Sequence, residues 1–250
     1  MKIKLLAAIL LTALSTSLWA ESRTLDEFSA ISYSLSYDVE FIAGSEHRVN
    51  FEGDQDTIDD IKATVSDGIL RLSKDKSWFD WSDSKGDVSI TITYVTLDAI
   101  TMSGSGNGFA KVIDADTLDL AVNGSAGFEI EQINCNDLSL RVSGSGNIDL
   151  YNLSVDSVAA TISGSGDIEL TGNTILQSVT ITGSGDYSAR ELRSQEATVK
   201  IAGSGDAQLW AEATIDAKVI GTGDITYYGN PSEKTSVTGS GSIEQRDRRL

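Results

Sequence analysis

The chain reads as an all-β protein, a parallel β-helix of coils about 20 residues long with an atypical β-rich N-terminal end. Three observations predict this. A glycine-rich motif returns at a nearly constant period, apolar residues alternate in twos on either side of it, and no long stretch shows the three-and-four spacing of an amphipathic helix.

The motif is seen best in Ser163-Gly164-Ser165-Gly166-Asp167. Versions of it begin at Gly104, Gly124, Gly144, Gly164, Gly183, Gly203, Gly221 and Gly239, with separations of 20, 20, 20, 19, 20, 18 and 18 residues. Such self-similarity marks a solenoid in which each repeat is one coil stacked on the next. Around it, Val158, Ala160, Ile162, Gly164, Gly166, Ile168 and Leu170 share one parity and point inward. Thr161, Ser163, Ser165, Asp167 and Glu169 share the other and face water. The expected core includes Ile162, Ile168, Ile181, Val199, Ile201, Val219 and Ile225.

The glycines of the inward row are read as structural corners, where the backbone bends or the interior is too narrow for a side chain. They are Gly104, Gly106, Gly144, Gly146, Gly164, Gly166, Gly183, Gly185, Gly203, Gly205, Gly221, Gly223, Gly239 and Gly241. A phosphate loop would occur once, before a helix, with a lysine following. A calcium-binding nonapeptide repeat would return every nine residues. Neither fits eight motifs set between strands. Gly124-Ser125-Ala126-Gly127, followed by Phe128, carries an extra residue by this count and predicts a local bulge.

In chain order, residues 1–20 read as a secretory signal peptide: Lys2 and Lys4, a short apolar run, and Ala20 before the cleavage point. No cysteine follows that run, as a lipoprotein anchor would need, and no second apolar run offers a transmembrane segment, so the protein is expected in the periplasm or outside the cell. Residues 21–99 form an N-terminal cap or divergent first coils, with strands at Ile31–Ile42, Arg48–Phe51, Ile69–Leu72 and Val88–Val95 and a short helix at Asp56–Thr64. Within them lie the ligand-binding candidates Trp78, Phe79 and Trp81, in a charged loop. They are a platform for sugar rings or a partner, or a lid folded over the first coil; the lid is favoured because solenoid ends need apolar cover. Residues 100–250 hold the eight repeats without an internal boundary, Pro231 sits in a loop, and Gln245–Leu250 is a basic tail that frays and discourages end-to-end pairing.

The chain has 19 Lys and Arg against 37 Asp and Glu, a net charge of −18; losing Lys2 and Lys4 with the leader takes it to −20. Such a chain repels nucleic acid and anionic membranes. Cys135 is the single cysteine, so no intrachain disulfide forms, and one His (His47, expected at the surface) with one Cys cannot build a zinc site or a Ser-His-Asp centre. Asn107, Asn147, Asp167, Asp186, Asp206 and Asp224 share one place in their repeats and should stack in a line about 4.8 Å apart. The next outward place holds Glu169 in one coil but Ser188, Gln208 and Thr226 in others, so no tight metal site and no cofactor is expected.

The opening LDEFSAISYSLSYDVEFIAG, then DGILRLSK, then VSITITYVTLDAITMSGSGN running into serial SGSGD units resemble the bacterial auto-transporter adhesin head GIN domain family over essentially the whole mature chain. The resemblance implies a secreted protein of right-handed β-helical coils, and it carries over no catalytic residue. The expected function is a non-catalytic secreted or cell-envelope module for adhesion or for binding a surface glycan or envelope protein. A purely structural envelope role, and a polysaccharide-cleaving enzyme using outer-sheet carboxylates, are the alternatives; the sequence leaves the oligomeric state open. Outward hydroxyls at Ser139, Ser143, Thr161, Ser163, Thr180, Thr182, Thr198 and Thr238 suit a saccharide surface and are also ordinary cross-strand pairs.

Overall fold

The computed structural model describes residues 19–74 and 86–246. Its 21 strands form one continuous sheet wound around a single apolar core, a β-solenoid of about 7 turns. The chain enters through β1 (Trp19–Thr24), β2 (Ala30–Tyr33), β3 (Val39–Ala43), β4 (Arg48–Gly53), α1 (Gln55–Asp59), β5 (Ile61–Ser66), β6 (Ile69–Lys74) and β7 (Val88–Tyr94). β8 (Ala99–Met102), β9 (Asn107–Asp114) and β10 (Thr117–Gly124) follow. β2 and β3 lie parallel between β6 and β7 on one side and β8 and β9 on the other, so they are themselves a coil of the stack. Beyond them β1–β4, β4–β7 and β5–β6 pair antiparallel, which ends the parallel stack.

Two local expectations are corrected here. The strand expected over 31–42 is broken at Ser34–Asp38, because that segment takes the place of a glycine corner: the Leu35 and Tyr37 carbonyls lie directly against Gly104 and Gly106. The helix expected over 56–64 stops at Asp59. Asp54 caps it, accepting the Thr57 N–H at 3.0 Å, but β-branched Ile61, Thr64 and Val65 then join a strand on the edge of β6.

The repeats continue through β11 (Gly127–Gly144), β12 (Asn147–Gly164), β13 (Ile168–Asn173), β14 (Leu176–Gly183), β15 (Tyr187–Arg193), β16 (Glu196–Gly203), β17 (Ala207–Trp210), β18 (Thr214–Gly221), β19 (Ile225–Tyr228), β20 (Ser232–Gly239) and β21 (Ile243–Gln245). All pair parallel, coil on coil. In β11 the alternation slips where Glu131 and Gln132, and then Asn136 and Asp137, are both exposed. A slip in parity is a corner, so each such coil has three sides: Phe128 and Ile130 face inward on one, Ile133 and Cys135 on the next, and Leu138, Leu140 and Val142 on the third. The seven expected core residues are all buried.

The glycine corners are crowded along the stack, each against the coil beneath it. A Cβ on Gly166 would sit 2.0 Å from the Gly146 carbonyl oxygen and 2.6 Å from Val142 Cγ1. Gly164 adds a φ of +137°, with its Cβ 2.3 Å from the Gly144 oxygen. The expected bulge at 124–127 is absent: Gly124 pairs with Gly144 and Gly127 with Asn147 in unbroken register, so Ala126 stands at the second glycine's place and Gly127 at the asparagine's. Stacking is looser there, since a Cβ on Gly124 would find its nearest neighbour, the Gly104 oxygen, at 3.3 Å. The irregularity lies elsewhere. Register shifts after Leu150, where one residue is lost and Gly172 (φ +126°) packs on the Leu153 carbonyl, which explains the 19-residue period.

One polar cluster interrupts the core. Gln177 occupies the inward row held by Leu138 and Val158 in earlier coils, and its Nε2 donates to Ser194 Oγ and to the Trp210 carbonyl, both at 2.7 Å. Tyr187 OH donates to Gln177 Oε1 at 3.1 Å and Ser194 OH to the Trp210 carbonyl at 2.5 Å, so these buried groups are satisfied. Burial alone pushes the Tyr187 phenol well above its ordinary range.

Candidate functional site

Trp78, Phe79 and Trp81 lie outside the described residues, in the link between β6 and β7. His47, expected at the surface, is half-buried: its ring packs on Phe28 at 4.5 Å between centroids, and its Nδ1 is buried without a hydrogen-bond partner. Cys135 is buried, and burial followed by the nearby Asp137, Asp116 and Asp156 pushes its thiol up to about 11, which keeps it protonated and unreactive.

The stacked aspartates form a ladder. The backbone N–H of Asp186 donates to Asp167 Oδ1, that of Asp206 to Asp186 Oδ1 and that of Asp224 to Asp206 Oδ1, each at 2.8 Å. The line is longer than its sequence signature. It starts at Asp38, whose Oδ1 accepts the Asn107 N–H at 2.8 Å, and ends at Ser242, whose N–H donates to Asp224 at 2.7 Å. Each carboxylate therefore neutralises a main-chain donor that the corner would otherwise leave bare. Among the described residues no group of His, Cys, Asp and Glu is placed to hold a metal.

Gly127 interrupts this ladder, so the Asn147 N–H turns to the Ala126 carbonyl at 3.2 Å. The missing side chain opens a groove of about 270 Å³ rimmed by Asn107, Asn147, Ser125 and Ser145, with Glu129, Asp149 and Phe109 along its side. Phe109 is half-buried and outward-facing, between Glu40 in the coil before and Glu129 in the coil after. It also walls a second hollow of about 490 Å³ that includes Tyr37, Asp38 and Glu40.

Above it Glu129, Asp149 and Glu169 stack in three successive coils. Asp149 is held above the ordinary carboxylate range, first by desolvation and then by Glu169, Glu129 and Asp167. Sequence reasoning weighed only Glu169 at this place. The outward residue two past Asn147 is Asp149, which alignment alone shows, whereas Glu129 lies two past Gly127, where no Asn or Asp marks the place.

The hydroxyl residues do share one outer side. Ser143, Ser163 and Thr182 stack in one column and Thr161 and Thr180 in the next, with Arg141 before them and Lys200 and Lys218 after. At another corner Trp210 stacks on Tyr228, with ring planes 12° apart and centroids 6.1 Å apart, and the Arg193 guanidinium lies over Trp210 at 4.5 Å. Both rings are half-buried.

A parallel β-solenoid wound around a single core, with a groove on one outer side, defines a class, that of β-solenoid repeat proteins. Within that class, a family model described as "Putative auto-transporter adhesin, head GIN domain" matches residues 27–231, and the chain belongs to this family. Solved structures share the fold. One from Parabacteroides distasonis, described as a putative lipid binding protein, has a TM-score of 0.85 at 23% identity over 93% of this chain and 98% of its own. A putative adhesin from Parabacteroides merdae gives 0.80 at 23% over 93% and 97%, and one from Bacteroides fragilis 0.69 at 25% over 93% and 98%. A search of curated proteins gives no match. No helix of the described residues is long and apolar enough to cross a membrane.

Proposed function

We propose that the protein is an exported, non-catalytic binding module of the cell envelope whose ligand is a carbohydrate on a neighbouring surface, held in the groove at Gly127. The observation that carries this reading is the outward ring of Phe109 beside a gap rimmed by amide, hydroxyl and carboxylate groups. A flat ring takes the apolar face of a sugar, while Asn107, Asn147, Glu129 and Asp149 take its hydroxyls. The family membership supports adhesion, and the leader-like residues 1–20 support export. Titration of the mature protein against a panel of bacterial and host glycans tests it. Phe109→Ala should weaken the glycan that binds at least tenfold, about 1.4 kcal/mol, with the thermal midpoint unchanged. Absence of any glycan binding, or binding indifferent to Phe109, refutes the reading.

A second reading rests on the Glu129, Asp149 and Glu169 stack. A carboxyl held above the ordinary carboxylate range beside other carboxyls suits the acid-and-base pairing that cleaves glycosidic bonds. Release of reducing ends from acidic polysaccharides, abolished by Asp149→Asn, would favour it over simple binding.

A further inference from the structure

The groove at Gly127 has walls of one charge. Register sets Glu40, Phe109, Glu129, Asp149 and Glu169 in a single outward column over successive coils. Carboxylates therefore flank the Phe109 ring and continue past it at the coil spacing of about 4.8 Å. On another outer side the chain answers its own acids, with Arg141 on Asp119 at 2.9 Å and Lys234 on Asp216 at 2.6 Å. In this column the charges that act on Asp149 are Glu169, Glu129 and Asp167, all of its own sign.

Tyr151, two residues on and on the same outer face, reports the same field. Its phenol is held above the ordinary range by desolvation first and then by Asp149, Glu169 and Glu129. Two basic residues lie near by register. Lys111, two past Phe109, is exposed, falls in the column of Glu131 and does not line the groove. Arg190, in the bulge one coil past Glu169, pairs with Glu191 at 3.6 Å. Like charges stacked this closely and partly out of water repel one another, and a cation that arrives with a ligand relieves them.

We infer, resting on the reading of this groove as a glycan site, that its ligand is an amino sugar with free amines, whose ammonium seats between Glu129 and Asp149 while a sugar face lies on Phe109. An ammonium reaches a carboxylate oxygen at about 2.7–2.9 Å, so one group set between acids one coil apart engages both. The face of the Phe109 ring attracts the same positive charge. The amide and hydroxyl groups of Asn107, Asn147, Ser125 and Ser145 then take the sugar hydroxyls. A uronate or sulfated chain is repelled by the same walls.

The test is calorimetric titration of the mature protein with a glucosamine tetramer, its fully N-acetylated form, a galacturonate tetramer and tetralysine. The glucosamine tetramer should bind, more weakly as salt rises, and N-acetylation should weaken it about tenfold or more. The galacturonate tetramer should not bind. Glu129→Gln and Asp149→Asn should each weaken the glucosamine tetramer about tenfold. Glu196→Gln, the same charge change on an exposed acid away from the groove, should leave it unchanged. Asp149→Asn relieves repulsion and keeps the fold, so its lost affinity is not lost structure. Equal binding of the N-acetylated form, tetralysine bound as tightly, binding of galacturonate, or an equal loss in Glu196→Gln would each overturn the inference. A glycan without amines that binds through Phe109 when the glucosamine tetramer does not overturns it and leaves the groove reading standing, whereas no binding by any glycan removes both.

Discussion

The two glycines of one corner separate steric crowding from backbone strain. Gly166→Ala adds a methyl 2.0 Å from the Gly146 oxygen and 2.6 Å from Val142 Cγ1, and since both neighbours are held by sheet and core the coil must open to admit it. Overpacking of this kind costs about 1–3 kcal/mol. Gly164→Ala adds a comparable collision, 2.3 Å from the Gly144 oxygen, and must also hold a φ of +137°. Strain of that sort adds about 1–3 kcal/mol, giving a total of roughly 2–6 kcal/mol. For a chain of this size about 1 kcal/mol moves the thermal midpoint by about 2–4 °C. Gly166→Ala should therefore lower it by roughly 2–12 °C and Gly164→Ala by more. Ala126, already present at the second corner place, marks where stacking is loose enough to accept the methyl. Thermal unfolding followed by far-ultraviolet circular dichroism measures both. Unchanged midpoints, or a Gly166→Ala protein less stable than Gly164→Ala, would refute this account of the corner.

Three further outcomes are expected. Asp206→Ala removes the acceptor of the Asp224 N–H and should cost about 1 kcal/mol, whereas Asp206→Asn should be nearly neutral because Asn147 already does the same for Asp167 at 3.1 Å; added salt should raise stability, with calcium no better than sodium chloride at equal ionic strength in calorimetry. Gln177→Leu orphans Tyr187 OH and should cost about 1–3 kcal/mol in urea unfolding, part of which Tyr187→Phe recovers in the double variant. Asp149 is held above its unfolded range, so the folded state binds its proton more tightly; its contribution is greatest below the unfolded value and is lost as pH rises through the folded one. Asp149→Asn should therefore raise the midpoint at neutral pH, with the difference vanishing in acid.

Period and parity were enough to determine the solenoid, its inward row and the line of aspartates, because a stacked coil repeats one environment and each repeat restates the same physical demand. Val158, Ile162 and Ile168 could be placed in the core from alternation alone. Alternation says nothing about which residues of different coils touch. That register decides whether Gly127 is a bulge or a gap in the ladder, that Glu129 and Asp149 lie beneath Glu169, and that Ser34–Asp38 takes a corner's place with no glycine in it. A carboxylate on a solvated strand and one closing the end of a core look alike in sequence. Only the register of β20 on β18, which sets Glu233 in the inward row above Ile215, makes it different from the outward acids around it.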